Sequence, residues 1–191
     1  HAAPLPVKAA LRSARDWPGN RPEDNRDKSK VGSAESSVFL SFTFHLKRPT
    51  VSRTAFTDFK AELKRLTGRS WGVSMERRYE EIRAYLQGWM NYFGIGMRYN
   101  DAVELDHRLR RRIRMCHWKQ WRTTRKRVGE LMKRGVSEHR AVSVGMSRKG
   151  YWHLAKTEAM NVGLSNAYLK KQGLTSIRTL WIKVYYPATA R

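Results

Sequence analysis

The sequence is poor in cysteine, in acids and in long apolar runs. A single cysteine, Cys116, excludes an internal disulfide and a cysteine-based zinc cluster. It is consistent with a reducing compartment, and a cytoplasmic location of bacterial type is expected. The histidines, at positions 1, 45, 107, 117, 139 and 153, form no H-x-x-x-H pair, so neither a metal site nor a cofactor is expected. No apolar run approaches the roughly 18 to 20 residues that a membrane span requires, and no stretch reads as a targeting peptide. Asp and Glu number 16 against 39 Lys and Arg in 191 residues, a net charge of +23. Such an excess repels itself unless a polyanion neutralises it. The expected partner is nucleic acid, with an anionic membrane surface disfavoured. Hydrophobic residues make up 40% of the chain, which excludes disorder throughout.

What is present is organised in blocks. Residues 1–37 are rich in Pro, Ala, Ser and charge and read as a poorly ordered segment. Val38 to Phe44, VFLSFTF, reads as a β-strand with Leu40, Phe42 and Phe44 on one face, stranded without partners. After Pro49 the pattern turns helical. Ser52 is a candidate N-cap for a helix with the stripe Phe56, Phe59, Leu63 and Leu66, ended by Gly68. Ser74 is a candidate cap for a second, with the stripe Met75, Tyr79, Ile82, Leu86, Trp89, Met90 and Phe93, ended by Gly94 and Gly96. Gly88 lies inside this helix, where it costs about 1 kcal/mol relative to alanine, and a close backbone neighbour is the usual reason. Asp101 and Glu104 suggest a capping-box start for a third helix running to about Trp121. Three amphipathic helices with short connections imply a bundle. Beyond Thr123, shorter helices are expected at 124–134 (closed by Gly135), from Ser137 to Gly145 and at 164–172 (closed by Gly173). Residues 174–186 fit helix or strand equally. No tight glycine turn of helix-turn-helix type is apparent in residues 123–145. The fold class is mainly α: a three-helix bundle, a smaller helical C-terminal region and a short residual strand.

The third helix carries the chemistry. With about 100° between successive residues, Leu105, Leu109, Ile113 and Cys116 fall within about 80° of one another as its core stripe. Arg108, Arg110, Arg111, Arg114 and Trp118 lie on the other side, and Arg112 and Lys119 at the edge of the stripe, where long stems can snorkel. Residues 108–127 contain no acid, so no i,i+4 ion pair relieves the charge within the segment. A solvated helix face would mix signs. A phosphate-binding face explains the missing acids through guanidinium–phosphate pairs and counterion release. The candidate RNA-binding residues are Arg108, Arg111, Arg112, Arg114, Trp118, Lys119, Arg122, Arg125, Lys126 and Arg127. Lys64 and Arg65 are candidates to extend this face. Arg148 and Lys149, in the polar turn before Tyr151–Trp152, and Lys170 and Lys171 form a second group. Trp118 and Trp121 either stack on unpaired bases or pack against the segment around Val128 and Leu131.

Six segments occur in a recognisable order: FLSFTF (39–44), RYEEIRAYLQGWMNYF (78–93), LDHRLRRRIRMCHWKQWR (105–122), SRKGYW (147–152), LSNAYLKKQGL (164–174) and LWIKVYYP (180–187). The chain resembles, over about 25–191, the C-terminal part of group II intron reverse transcriptase/maturases. The resemblance implies that Asn25 onward corresponds to the tail of the polymerase palm and residues 38–49 to a residual palm strand, with Ser41 where the family usually has glycine. It implies that 50–122 is the thumb, or maturase-specific, bundle and that 123–191 is the rest of the maturase region. Residues 1–24 match no part of the pattern. The family polymerises through carboxylates, including a Tyr-x-Asp-Asp turn, that hold two metal ions. This sequence has no such turn, so no polymerase activity is expected, and Mg²⁺ would belong to a polymerase domain and to the RNA. The expected function is an RNA-binding maturase fragment that binds group II intron RNA and assists its folding and splicing. The alternatives are the non-catalytic part of a split reverse transcriptase, partnered by a separate palm fragment, and a degenerate remnant without activity.

Overall fold

The computed structural model describes residues 38–45 and 48–187. The readings for residues 1–37, including the palm-like tail from Asn25, lie outside the described residues. The described chain opens on a hairpin of β1 (Phe42–His45) and β2 (Arg48–Val51), antiparallel, with Phe42 opposite Val51 and His45 opposite Arg48. The expected strand over 38–44 is therefore corrected in two respects. First, it has a partner, hidden in the sequence by Pro49, which a two-stranded edge tolerates opposite Phe44. Second, its first half is a tight turn. Leu40 and Ser41 adopt φ of 49° and 65°, and Phe39 and Phe42 exchange N–H···O bonds of 2.9 and 2.8 Å. Leu40 thus does not share a face with Phe42 and Phe44. The left-handed conformation at Ser41 is one that glycine adopts without a Cβ clash, which gives a physical reason for glycine at this place in the family.

Helix α1 (Arg53–Leu66) starts where Ser52 Oγ accepts the Ala55 N–H, at 3.3 Å, and it buries Phe59, Leu63 and Leu66. Helix α2 (Met75–Phe93) is capped in the same way by Ser74, whose Oγ accepts the Arg77 N–H. Its predicted stripe is buried from Met75 to Met90, with Phe93 half-buried against the core. Gly88 faces open space, with no neighbour within 4 Å of an added Cβ, so it does not admit a backbone as expected. The close approach occurs at the 3₁₀ turn Gly94–Gly96. A Cβ on Gly96 would lie 2.8 Å from the Phe42 ring and 3.0 Å from the Val51 nitrogen. The hairpin is seated on that turn.

Helix α3 (Tyr99–Gln120) starts two residues before the expected capping box. Arg98 at the N-cap supplies no side-chain cap, and Asp101 pairs with Arg98 instead, at 2.9 Å. Short helices follow: α4 (Thr124–Met132), α5 (Glu138–Gly145), α6 (Tyr151–Leu154), α7 (Glu158–Gly163), α8 (Asn166–Lys171) and α9 (Ile177–Tyr185). Gly135 and Gly173, at φ 82° and 101°, supply the left-handed turns after α4 and α8. Contrary to the sequence reading, α4 and α5 are joined through a glycine turn and pack closely, with Val128 Cγ2 2.6 Å from a Cβ built on Gly145. The sole Lys or Arg of α5, Arg140, pairs with Glu158 at 2.7 Å, so α5 is poorly charged to enter a nucleic-acid groove. Of residues 174–186, ambiguous in the sequence, Ile177–Tyr185 form α9, which packs on α2 and α3. One continuous core runs from Phe59 to Ile177, so the bundle and the C-terminal helices share a single apolar interior.

Candidate nucleic-acid interface

The α3 arginines divide by what they touch. Arg108 and Lys119 are exposed, as are Arg122, Arg125 and Lys126 beyond the helix end. The other four candidate cations, Arg111, Arg112, Arg114 and Arg127, have partners within the fold, and Arg110 pairs with Asp106. Arg112 donates from Nε to Thr67 Oγ1 and from Nη2 to the Lys64 carbonyl, the latter at 3.0 Å. Arg114, 8% exposed, donates to the Leu164 carbonyl at 2.9 Å and to Asn166 Oδ1 at 3.0 Å. Burial draws the pKa of both below the ordinary arginine value. Arg127 donates to the Trp121 carbonyl at 2.9 Å and lies over the Trp118 ring at 4.9 Å. Arg111 donates from Nε and Nη2 to the Trp152 carbonyl, at 3.1 and 2.8 Å, and lies 3.7 Å from the centre of the Trp152 ring.

These placements correct part of the expected site. Trp118 is 1% exposed and in edge contact with Trp121, so it cannot stack on a base. Arg114 docks the α7–α8 segment onto α3, and Arg112 docks the end of α1. The Leu164 carbonyl needs a donor in a buried setting, a demand that helical periodicity cannot reveal. Arg65 is engaged by Glu62 at 2.6 Å, while Lys64 is exposed.

A tertiary contact links the α3 strip to the second group of candidates. Arg111 ties α3 to α6, and Lys119 lies 5.8 Å from the Tyr151 ring, which Arg69 also covers at 4.8 Å. The exposed Arg148 and Lys149 occupy the turn leading into this helix. Two groups far apart in sequence, the α3 strip and the SRKGYW turn, therefore meet. Lys170 and Lys171 are exposed on α8, and Lys170 borders a cleft of about 610 Å³ with Arg83, Arg110, Arg178 and Lys183. That grouping was missed because its members come from α2, α3, α8 and α9. Among the described residues, no three His, Cys, Asp or Glu side chains come together as a metal site, and no helix is long and apolar enough to cross a membrane.

Beneath α3, His117 is buried and its Nε2 lies 2.8 Å from the Tyr79 hydroxyl. Burial, then the nearby Arg134 guanidinium, push its pKa down to about 4. Above about pH 6.5 the imidazole is neutral in both folded and unfolded chains and does not alter stability. Between 6.5 and 4 only the unfolded chain takes up the proton, so stability falls as pH drops. By pH 5 this single group lowers stability by about 2 kcal/mol. Urea unfolding at pH 7.5 and pH 5 should show a smaller difference for His117→Gln than for the parent chain. Equal differences would contradict the assignment.

These features define the class: a mainly helical, strongly basic domain, with exposed cations on one long helix, just beyond its end and in the turn leading into the short helix packed on it. Direct comparison finds a family match over part of the chain. Residues 56–135, from within α1 to the glycine turn after α4, match the family model "Group II intron, maturase-specific domain". Over these residues the chain is similar to the maturase-specific domain of group II intron maturases, and the match supports a maturase-related function. No curated protein shows significant similarity to the chain.

Proposed function

We propose that the chain binds structured RNA, specifically group II intron RNA, and assists its folding for splicing without itself making or breaking bonds. The observation that carries this reading is the acid-free run from Arg108 to Arg127, whose helix is joined by the Arg111–Trp152 contact to the short helix that follows the exposed Arg148 and Lys149. Most of these contacts would go to phosphates, which position the RNA without reading its sequence, and specificity would come from RNA shape. Changing Lys119, Arg122, Arg125 and Lys126 together to glutamine should weaken binding to a folded group II intron RNA about a hundredfold. It should also reduce the slope of log affinity on log salt by about 3, as expected for four lost phosphate contacts. Unchanged affinity and slope in a filter-binding titration would overturn the reading.

A second reading, the non-catalytic part of a split reverse transcriptase, is favoured by one feature. Phe39, Leu40 and Tyr92 are exposed together at the hairpin, with the Tyr92 hydroxyl donating to the Leu40 carbonyl at 3.2 Å. A separately expressed palm fragment that binds this chain and regains primer extension would support it.

A further inference from the structure

The stacking role closed to Trp118 by burial is open to a different tryptophan. Trp152 lies in α6 with 40% of its surface exposed and takes no place in the core. One face of its indole is covered by the Arg111 guanidinium, 3.7 Å from the ring centre. The same guanidinium grips the Trp152 carbonyl through Nε and Nη2, at 3.1 and 2.8 Å. The ring is thus held from one side by α3, and its backbone is anchored by the same residue. Around it lie cations: Lys119 beside Tyr151, and the exposed Arg148 and Lys149 in the preceding turn.

Packing alone does not explain this arrangement. The two hydrogen bonds from Arg111 use a backbone carbonyl and would form with any residue at position 152. A large indole left partly in water beside a cationic strip adds nothing to the apolar interior. Held against a guanidinium with lysines and an arginine close by, it has what a base-stacking platform requires: a preorganised aromatic plane and phosphate partners within reach.

We infer that Trp152, backed by Arg111, is a stacking platform for an unpaired nucleobase of the bound RNA, with Lys119, Arg148 and Lys149 receiving the flanking phosphates. This rests on the RNA-binding reading above and adds to it a preference for unpaired segments. A duplex keeps its base faces stacked on one another and cannot use the platform.

The test compares the parent chain, Trp152→Ala and Trp152→Phe by fluorescence anisotropy. The probes are a short oligouridine and an RNA duplex of equal length, each across a salt series. The alanine variant keeps the carbonyl that Arg111 grips, and its thermal midpoint should match that of the parent. It should bind oligouridine roughly tenfold more weakly with an unchanged salt slope, because a stack and not a phosphate contact is lost. Its duplex binding should be unaltered, and phenylalanine should retain most of the oligouridine affinity. Equal oligouridine affinity for parent and alanine variant would overturn the platform and leave the RNA-binding reading standing, as would an equal loss on both probes. A parent chain that binds neither probe nor folded intron RNA would overturn both.

Discussion

Replacing Arg78 with alanine should destabilise the folded chain by about 4 kcal/mol, because it orphans one buried and two half-buried acceptors and removes the buried charge that serves all three. Arg78 is 2% exposed and lies in the first turn of α2. Its Nη1 donates to the carbonyls of Leu66 and Gly68, at 2.7 and 2.9 Å, and its Nη2 to that of Trp71 at 3.0 Å. These carbonyls belong to the C-terminus of α1 and the connection that follows, where a helix leaves acceptors without intrahelical donors. The negative end of the α1 dipole further favours a cation there. Alanine is a good helix former, so α2 should survive and the loss should fall on the join between α1 and α2. Lysine keeps the charge but lacks the planar fork and should recover only part of the stability. Equilibrium urea unfolding measures all three chains. A loss below about 1 kcal/mol for Arg78→Ala would show that water replaces the guanidinium without penalty.

Asp106→Ala should cost about 3 kcal/mol and loosen α9 before the rest of the fold. Asp106 is 1% exposed on α3. Its Oδ1 accepts the Ile177 N–H at 2.9 Å, and its Oδ2 accepts the Ser176 hydroxyl at 3.0 Å and a bond from Arg110. A carboxylate from one helix thus caps another from a distance of seventy residues, supplying both an acceptor and a negative charge at the α9 N-terminus. Without it, the Ile177 N–H and the Arg110 guanidinium lose their buried partner. Helix α9 carries Trp181, whose Nε1 donates to the Met97 carbonyl at 2.7 Å, so its release should also unsettle the turn before α3. Hydrogen exchange should show faster exchange over 177–185 in the variant. Asparagine keeps one acceptor and should fall between. Unchanged exchange in α9 would contradict the capping role.

The sequence displays periodic features well and reciprocal ones poorly. The stripes of α1, α2 and α3 were legible because each buries one face, and Ser52, Ser74, Gly135 and Gly173 mark ends through local chemistry. Strand β2 was hidden by Pro49 and the turn at Leu40–Ser41 by an apolar run, since neither disturbs a hydrophobic pattern. Helix α7 is too short, at six residues, to show a stripe. Within residues 174–186, Ile177–Tyr185 became a helix partly through Asp106, a cap that no local window contains. The candidate site follows the same rule. Periodicity separated the cations of α3 from its core stripe, and Arg108 and Lys119 did prove exposed. It could not show that Arg112 and Arg114 answer carbonyls some fifty residues away, at Lys64 and Leu164. Nor could it show that Trp118 faces inward and Trp152 outward.

The central claim is that this basic surface recognises a folded intron and is more than a charged patch. It is tested by titrating the purified chain against a folded group II intron RNA and a length-matched unrelated RNA across a salt series. The exposed cations Arg108, Lys119, Arg122, Arg125, Lys126, Arg148 and Lys149 predict a slope of log affinity on log salt of about −5 to −6, with clear preference for the intron. A shallow slope, or a steep one with equal affinity for both RNAs, would contradict it.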